Sequence, residues 1–112
     1  MSKPSVITPT VLIVDDDQAI LTSLHDTLRK EEYEVVTCPS PTQALGLLAD
    51  RPFAVVIADH DMKEMAGLEF FIECRRLAPR ASRILMTEVL SLRTVIEATN
   101  SGEIFRFVAK PW

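Results

Sequence analysis

The chain has 112 residues, 47% of them apolar and 25% charged, with a formal net charge of −4. That length supports one domain with its own core, and the acidic balance argues against direct contact with nucleic acid, which needs a basic face. No apolar stretch nears the roughly 20 residues of a spanning helix, and residues 1–9 lack the apolar core of a signal peptide. Those nine residues read as a flexible arm on a cytoplasmic protein. Cys38 and Cys74 lie far apart without metal-ligand spacing, and read as reduced core thiols.

In chain order, Val11-Leu-Ile-Val14 is a short apolar run that suits a buried strand. Asp17 can cap a helix on which Ile20, Leu21, Leu24 and Leu28 recur at helical spacing, ending near Glu31. Residues 33–38, from Tyr33 to Cys38, are β-branched and short, a second strand. Ser40-Pro-Thr-Gln43 is a capping box with proline at the first helical position. It opens a helix carrying Ala44, Leu45, Leu47 and Leu48, which Arg51-Pro52 stops. The most apolar run, Phe53-Ala-Val-Val-Ile-Ala58, is the third strand. A loop from His60 to Gly67 leads into a helix with Leu68, Phe71, Ile72 and Leu77 on its inner side, ended by Pro79. Arg83 to Met86 form a fourth strand. Residues 92–100 form a shorter helix carrying Leu92, Val95, Ile96 and Thr99, with Gly102 at its C-terminal cap. Residues 104–108 form a fifth strand before Lys110-Pro-Trp112.

Strict alternation of strand and helix implies a parallel sheet covered by helices, the doubly wound α/β class. Five strands with only four helices leave one sheet face partly bare. The domain, residues 10–112, is therefore expected to stop before its last helix. The bare face is expected either to self-associate or to be covered by the next residues of a longer chain.

In such a sheet the carboxyl ends of the strands share one edge, where ligands bind. The first strand ends at Asp15-Asp16-Asp17 and the third at Asp59. Two distant acidic clusters thus become one candidate site for a hard divalent cation. Thr87 follows the fourth strand and Lys110 the fifth, so a hydroxyl and an ammonium reach the same edge. That set suits phosphoryl transfer onto a carboxylate, with Mg²⁺ neutralising the transferring oxygens. Plainer readings stand beside this one. Asp17 is simply a helix cap, His25 and His60 are ordinary side chains, Met62 and Met65 anchor a loop, and Arg75-Arg76 is a solvated helix face.

The motifs Val14-Asp15-Asp16-Asp17, Asp59-His-Asp-Met62 through Met65-Ala-Gly67, Met86-Thr87 and Phe107-Val-Ala-Lys110-Pro111 together resemble the receiver domain of two-component response regulators. The resemblance runs from about residue 10 to the end. It implies the flavodoxin-like five-stranded sheet of order 2-1-3-4-5, a fold for which a member of this family is a standard example. It further implies that Asp59 is the phosphoacceptor. Asp16, Asp59 and the Asp61 backbone carbonyl would bind Mg²⁺ directly, and Asp15 would hold a metal-bound water. Thr87 would hydrogen-bond the phosphoryl group, Lys110 would pair with it through a cis Lys110–Pro111 segment, and Phe107 would occupy the switch position. The implied partners are a histidine kinase and a C-terminal output domain. Residues 91–108 would form the readout face and a surface for a homodimer, with no membrane contact. Such a domain is a switch that catalyses only its own phosphorylation and dephosphorylation, in the service of transcription regulation.

Lys63 and Glu88 depart from the family pattern, and Glu88 keeps one alternative open. Lys63 stands where the family favours proline, and Glu88 where it favours a small residue. One alternative is a pseudo-receiver that binds without phosphate control. Another is a phosphatase with an aspartate nucleophile, suggested by Asp59-x-Asp61 but disfavoured by the chain's small size. A carboxylate beside a dianionic phosphoryl group is repulsive, so Glu88 is expected to slow phosphorylation, hydrolysis or both. Timed acetyl-phosphate labelling of Glu88→Ala checks this, with a changed rate as the expected outcome and rates equal to the parent chain as the contrary one.

Overall fold

The computed structural model describes residues 9–87 and 106–109. Strand β1 (Thr10–Val14) leads to helix α1 (Gln18–Arg29), β2 (Glu34–Cys38), α2 (Pro41–Asp50), β3 (Val55–Asp59), α3 (Gly67–Leu77), β4 (Ser82–Thr87) and β5 (Arg106–Ala109). The sheet has the order β2-β1-β3-β4-β5, and every pair is parallel. This is the doubly wound, flavodoxin-like topology. Residues 1–8 of the expected arm, the helix at 92–100, Gly102 and the residues after Ala109 lie outside the described residues, and the Pro9 carbonyl accepts from Glu34 N–H at 3.0 Å. Among the described residues no helix is long and apolar enough to cross a membrane.

Alternation along the strands divides the core into two layers. Leu12, Val14, Val56, Ala58 and Leu85 face α2 and α3, where they meet Ala44, Leu48, Phe70, Phe71 and Cys74. Val11 and Ile13 face the other way and meet Leu21 of α1, with Leu24, Leu28, Val35, Val55 and Ile57 partly buried beside them. The helix starts follow their caps. The Asp17 side chain accepts from Ala19 N–H at 2.9 Å, and Ser40 Oγ accepts from Gln43 N–H at 3.2 Å with Pro41 in the first turn. The capping box at Ser40 is only half made. The Gln43 side chain accepts from Cys38 Sγ at 3.9 Å.

Three expectations shift. Helix α1 ends at Arg29, and Glu32 turns the chain with a φ of 66°, a left-handed conformation that costs a side-chain-bearing residue energy. Tyr33 is exposed ahead of β2, not within it. The inner face of α3 is Gly67, Phe70, Phe71 and Cys74, while Ile72 and Leu77 face solvent. Both cysteines are free and buried, as expected. Burial pushes the Cys74 thiol up to about 12, against an opposing pull from Arg83, so the group stays neutral at physiological pH.

Gly67 opens α3 where the helix comes closest to the end of β3. A Cβ there would stand 2.7 Å from the Asp59 carbonyl oxygen and from Leu85 Cδ1, and 2.9 Å from His60 Cα. Backbone cannot give way cheaply at such distances. Gly67→Ala is therefore expected to destabilise the fold by about 1–3 kcal/mol, a typical overpacking cost. Urea unfolding reads the loss, and an unchanged midpoint would contradict the close approach.

Candidate functional site

The site is built by strand register. Pairing of Val14 with Ala58 places Asp15, the residue after β1, beside Asp59, the last residue of β3. Pairing of Asp59 with Met86, and of Thr87 with Ala109, carries the same edge across β4 and β5. The backbone thus brings the Thr87 position to the acidic corner at the end of β4. Phe107 lies within β5, two residues short of its end. Lys110 and Glu88 fall outside the described residues.

Asp15, Asp16 and Asp59 each offer an oxygen, and these atoms all lie within 4.8 Å of one another. Asp15 and Asp59 are buried, at 0% and 5% exposure, whereas Asp16 is open to solvent. Gathering carboxylates this way opposes both desolvation and like-charge repulsion. The backbone around them is tightly held. Asp15 N–H donates to the Cys38 carbonyl at 3.2 Å, and Asp15 Oδ1 accepts from Asp17 N–H at 2.9 Å. His60 N–H donates to the Met86 carbonyl at 2.8 Å, and Gly67 N–H closes the loop onto the His60 carbonyl at 2.9 Å.

The three neighbouring aspartates divide their work. Asp17 caps α1, Asp15 braces the turn, and Asp16 reaches across to the loop after β3, where its Oδ2 accepts from Lys63 N–H at 3.1 Å. Met62 is buried and Met65 partly so, both against the α2–α3 core, so they do anchor that loop. Asp61, whose backbone carbonyl was the fourth expected ligand, is an exposed residue of the same loop.

An all-oxygen donor set with two buried carboxylates and one exposed one fits a hard divalent cation, and it lacks the nitrogen or sulfur that a zinc or copper site would use. The exposed Asp16 leaves a route from solvent. Asp59 is the last residue of β3 and stands beside that cation position.

One pairing near this corner was not legible beforehand. Ser40 Oγ donates to Glu64 Oε1 at 2.7 Å, and Thr42 N–H donates to the same oxygen at 3.4 Å. Ser40 was recognisable as a cap, but its partner lies 24 residues away in the chain. No local pattern carries such a pair.

The response regulator receiver domain family matches residues 11–112. Among curated relatives, the hydrogenase transcriptional regulatory protein HoxA of Cupriavidus necator is 34% identical over 103 residues. The alignment covers 92% of this chain and 21% of HoxA. The chain thus spans about a fifth of the length of the curated relatives it matches. Among solved structures, a CheY-like receiver domain of Methanospirillum hungatei superposes with a TM-score of 0.89 at 29% identity, covering 95% of this chain and 84% of that one. The response regulator TrrA of Thermotoga maritima, solved in complex with Mg²⁺ and beryllium fluoride, superposes with a TM-score of 0.83 at 28% identity. The match covers 94% of this chain and 89% of TrrA.

Proposed function

The chain belongs to the response regulator receiver domain family, and from that premise we propose that Asp59 accepts a phosphoryl group from a partner histidine kinase. The observation that carries the reading is the convergence of Asp15, Asp16 and Asp59 within 4.8 Å at the carboxyl edge of the sheet. Mg²⁺ would be held by the Asp16 and Asp59 side chains and the Asp61 backbone carbonyl, with Asp15 holding a metal-bound water. When bound, Mg²⁺ neutralises charge on the transferring phosphoryl oxygens.

The residues supply the rest. An Asp59 carboxylate oxygen attacks phosphorus, the bond from phosphorus to the donor breaks, and the donor leaves with that electron pair. The product is an acyl phosphate on Asp59. Thr87 hydrogen-bonds one phosphoryl oxygen and Lys110 pairs with another, so transfer depends on positioning and charge stabilisation. Drawing Thr87 toward the phosphate frees space that the Phe107 ring fills. Phe107 has no hydroxyl, so the switch there works by packing alone. The shifted equilibrium is read on residues 91–108, by an output domain in a longer chain or by a second copy of the domain. Transcription control is the output that the relatives favour, since HoxA is a transcriptional regulatory protein.

Intact-mass measurement after incubation with acetyl phosphate and Mg²⁺ tests the reading. The parent chain is expected to gain one phosphoryl group, and Asp59→Asn or omission of Mg²⁺ to gain none. An unmodified parent chain, or a labelled Asp59→Asn variant, would sink it.

A further inference from the structure

The loop between β3 and α3, residues 60–66, must present the Asp61 carbonyl to the site, yet it contains neither helix nor strand. Its position is set by what its neighbours bond. Lys63 N–H donates to Asp16 Oδ2 at 3.1 Å, which ties the loop to the acidic turn after β1. The next residue ties it in the opposite direction, to α2.

Helix α2 has no acidic residue in its own first turn. A carboxylate there would offset the free N–H groups and the positive end of the helix dipole. Glu64 supplies that carboxylate from another loop. Its Oε1 accepts from Ser40 Oγ at 2.7 Å and from Thr42 N–H at 3.4 Å. Ser40 Oγ in turn accepts from Gln43 N–H at 3.2 Å, so the cap hydroxyl is polarised by the helix and donates onward to Glu64. These donors, Ser40 first and then Thr42, hold the Glu64 carboxyl below the usual carboxylate range. The group is therefore an anion throughout the neutral pH region.

We propose that Glu64 is a positioning residue for phosphoryl transfer, docking the loop on the amino end of α2 and so fixing the Asp61 carbonyl and the Lys63–Asp16 bond. The inference rests on the reading of Asp59 as phosphoacceptor. Glu64 is not among the carboxylates gathered at the cation position. Its influence passes through one residue of backbone to Lys63 and through three to Asp61. The amino end of α2 and the cation site are thereby coupled through one exposed side chain, and loosening the cap loosens the ligand loop.

The test compares the parent chain with Glu64→Ala and Glu64→Gln. Three quantities are read: exchange of the Lys63 amide hydrogen by NMR without metal, Mg²⁺ affinity by calorimetry, and the rate of acetyl-phosphate labelling. Glu64→Ala is expected to speed Lys63 exchange, weaken Mg²⁺ binding roughly tenfold, the lower end of what outer-shell partners contribute, and slow labelling. Glu64→Gln keeps an acceptor oxygen for Ser40 and Thr42 but loses the charge, and is expected to fall between the parent and Glu64→Ala in all three. Unchanged exchange and affinity in Glu64→Ala overturn the inference, and so does Glu64→Gln as impaired as Glu64→Ala. A parent chain that takes no phosphoryl group overturns the phosphoacceptor reading itself. A labelled parent with an indifferent Glu64→Ala removes only the role of Glu64.

Discussion

Three carboxylates held in one corner are the constraint on which the rest of this molecule depends. Like charges brought together and buried cost Coulombic and desolvation energy unless partners offset them, and Asp15 and Asp59 are both buried. The sheet imposes the arrangement regardless. Parallel pairing of Val14 with Ala58 leaves Asp15 and Asp59 side by side, and no local rotation moves one strand end away from the other. The apolar pairs beneath them, Leu12 with Val56 and Val14 with Ala58, offset the cost by burying both strands completely on that face. Three carboxylates gathered at one edge form an oxygen donor set of the kind a divalent cation takes.

The same corner shows how a fold fixes a segment that has no regular structure. Residues 60–66 hang between two rigid supports, the end of β3 and the first turn of α3. Gly67 lets those supports approach to a distance that any side chain would forbid. Buried Met62 fills the space beneath the loop, and the flanking Asp16 and Ser40 grip it from either side. Lys63, where the family favours proline, makes use of its difference. Proline has no N–H, so the bond from Lys63 N–H to Asp16 is one that the usual residue could not form. The departure from the family pattern thus becomes an extra tie to an expected cation ligand.

What was legible in the sequence follows from the range of each interaction. The strands were plain because β1 and β3 are runs of apolar residues, buried at Val11 to Val14 on both faces of the sheet, while β2 is short and β-branched. Their parallel arrangement followed from alternation with helices, whereas the order 2-1-3-4-5 came from family resemblance. Helix caps at Asp17 and Ser40 were legible because donor and acceptor lie within three residues. The face of α3 was legible in part, since Phe71 is buried as expected, but two large apolar residues of the helix are not on that face. Ile72 and Leu77 are large and exposed, while the stripe against β3 and β4 runs through Gly67, Phe70, Phe71 and Cys74. Two of those four are small, and close packing rather than hydrophobicity selects them. Asp15, Asp16 and Asp59 were found together because strand ends share an edge by topology alone. Glu64 was missed because only the folded chain brings it to Ser40.

The claim at the centre is that Asp59 binds a phosphoryl-like group only together with a cation held by its neighbouring aspartates. Beryllium fluoride mimics that group on a carboxylate, so fluorine NMR of the chain with beryllium fluoride, with and without Mg²⁺, tests the claim most directly. A bound fluorine resonance is expected that appears with Mg²⁺, vanishes on its chelation, and is absent from Asp59→Asn. A bound resonance that survives chelation or persists in Asp59→Asn would contradict it, as would no bound signal from the parent chain at saturating Mg²⁺.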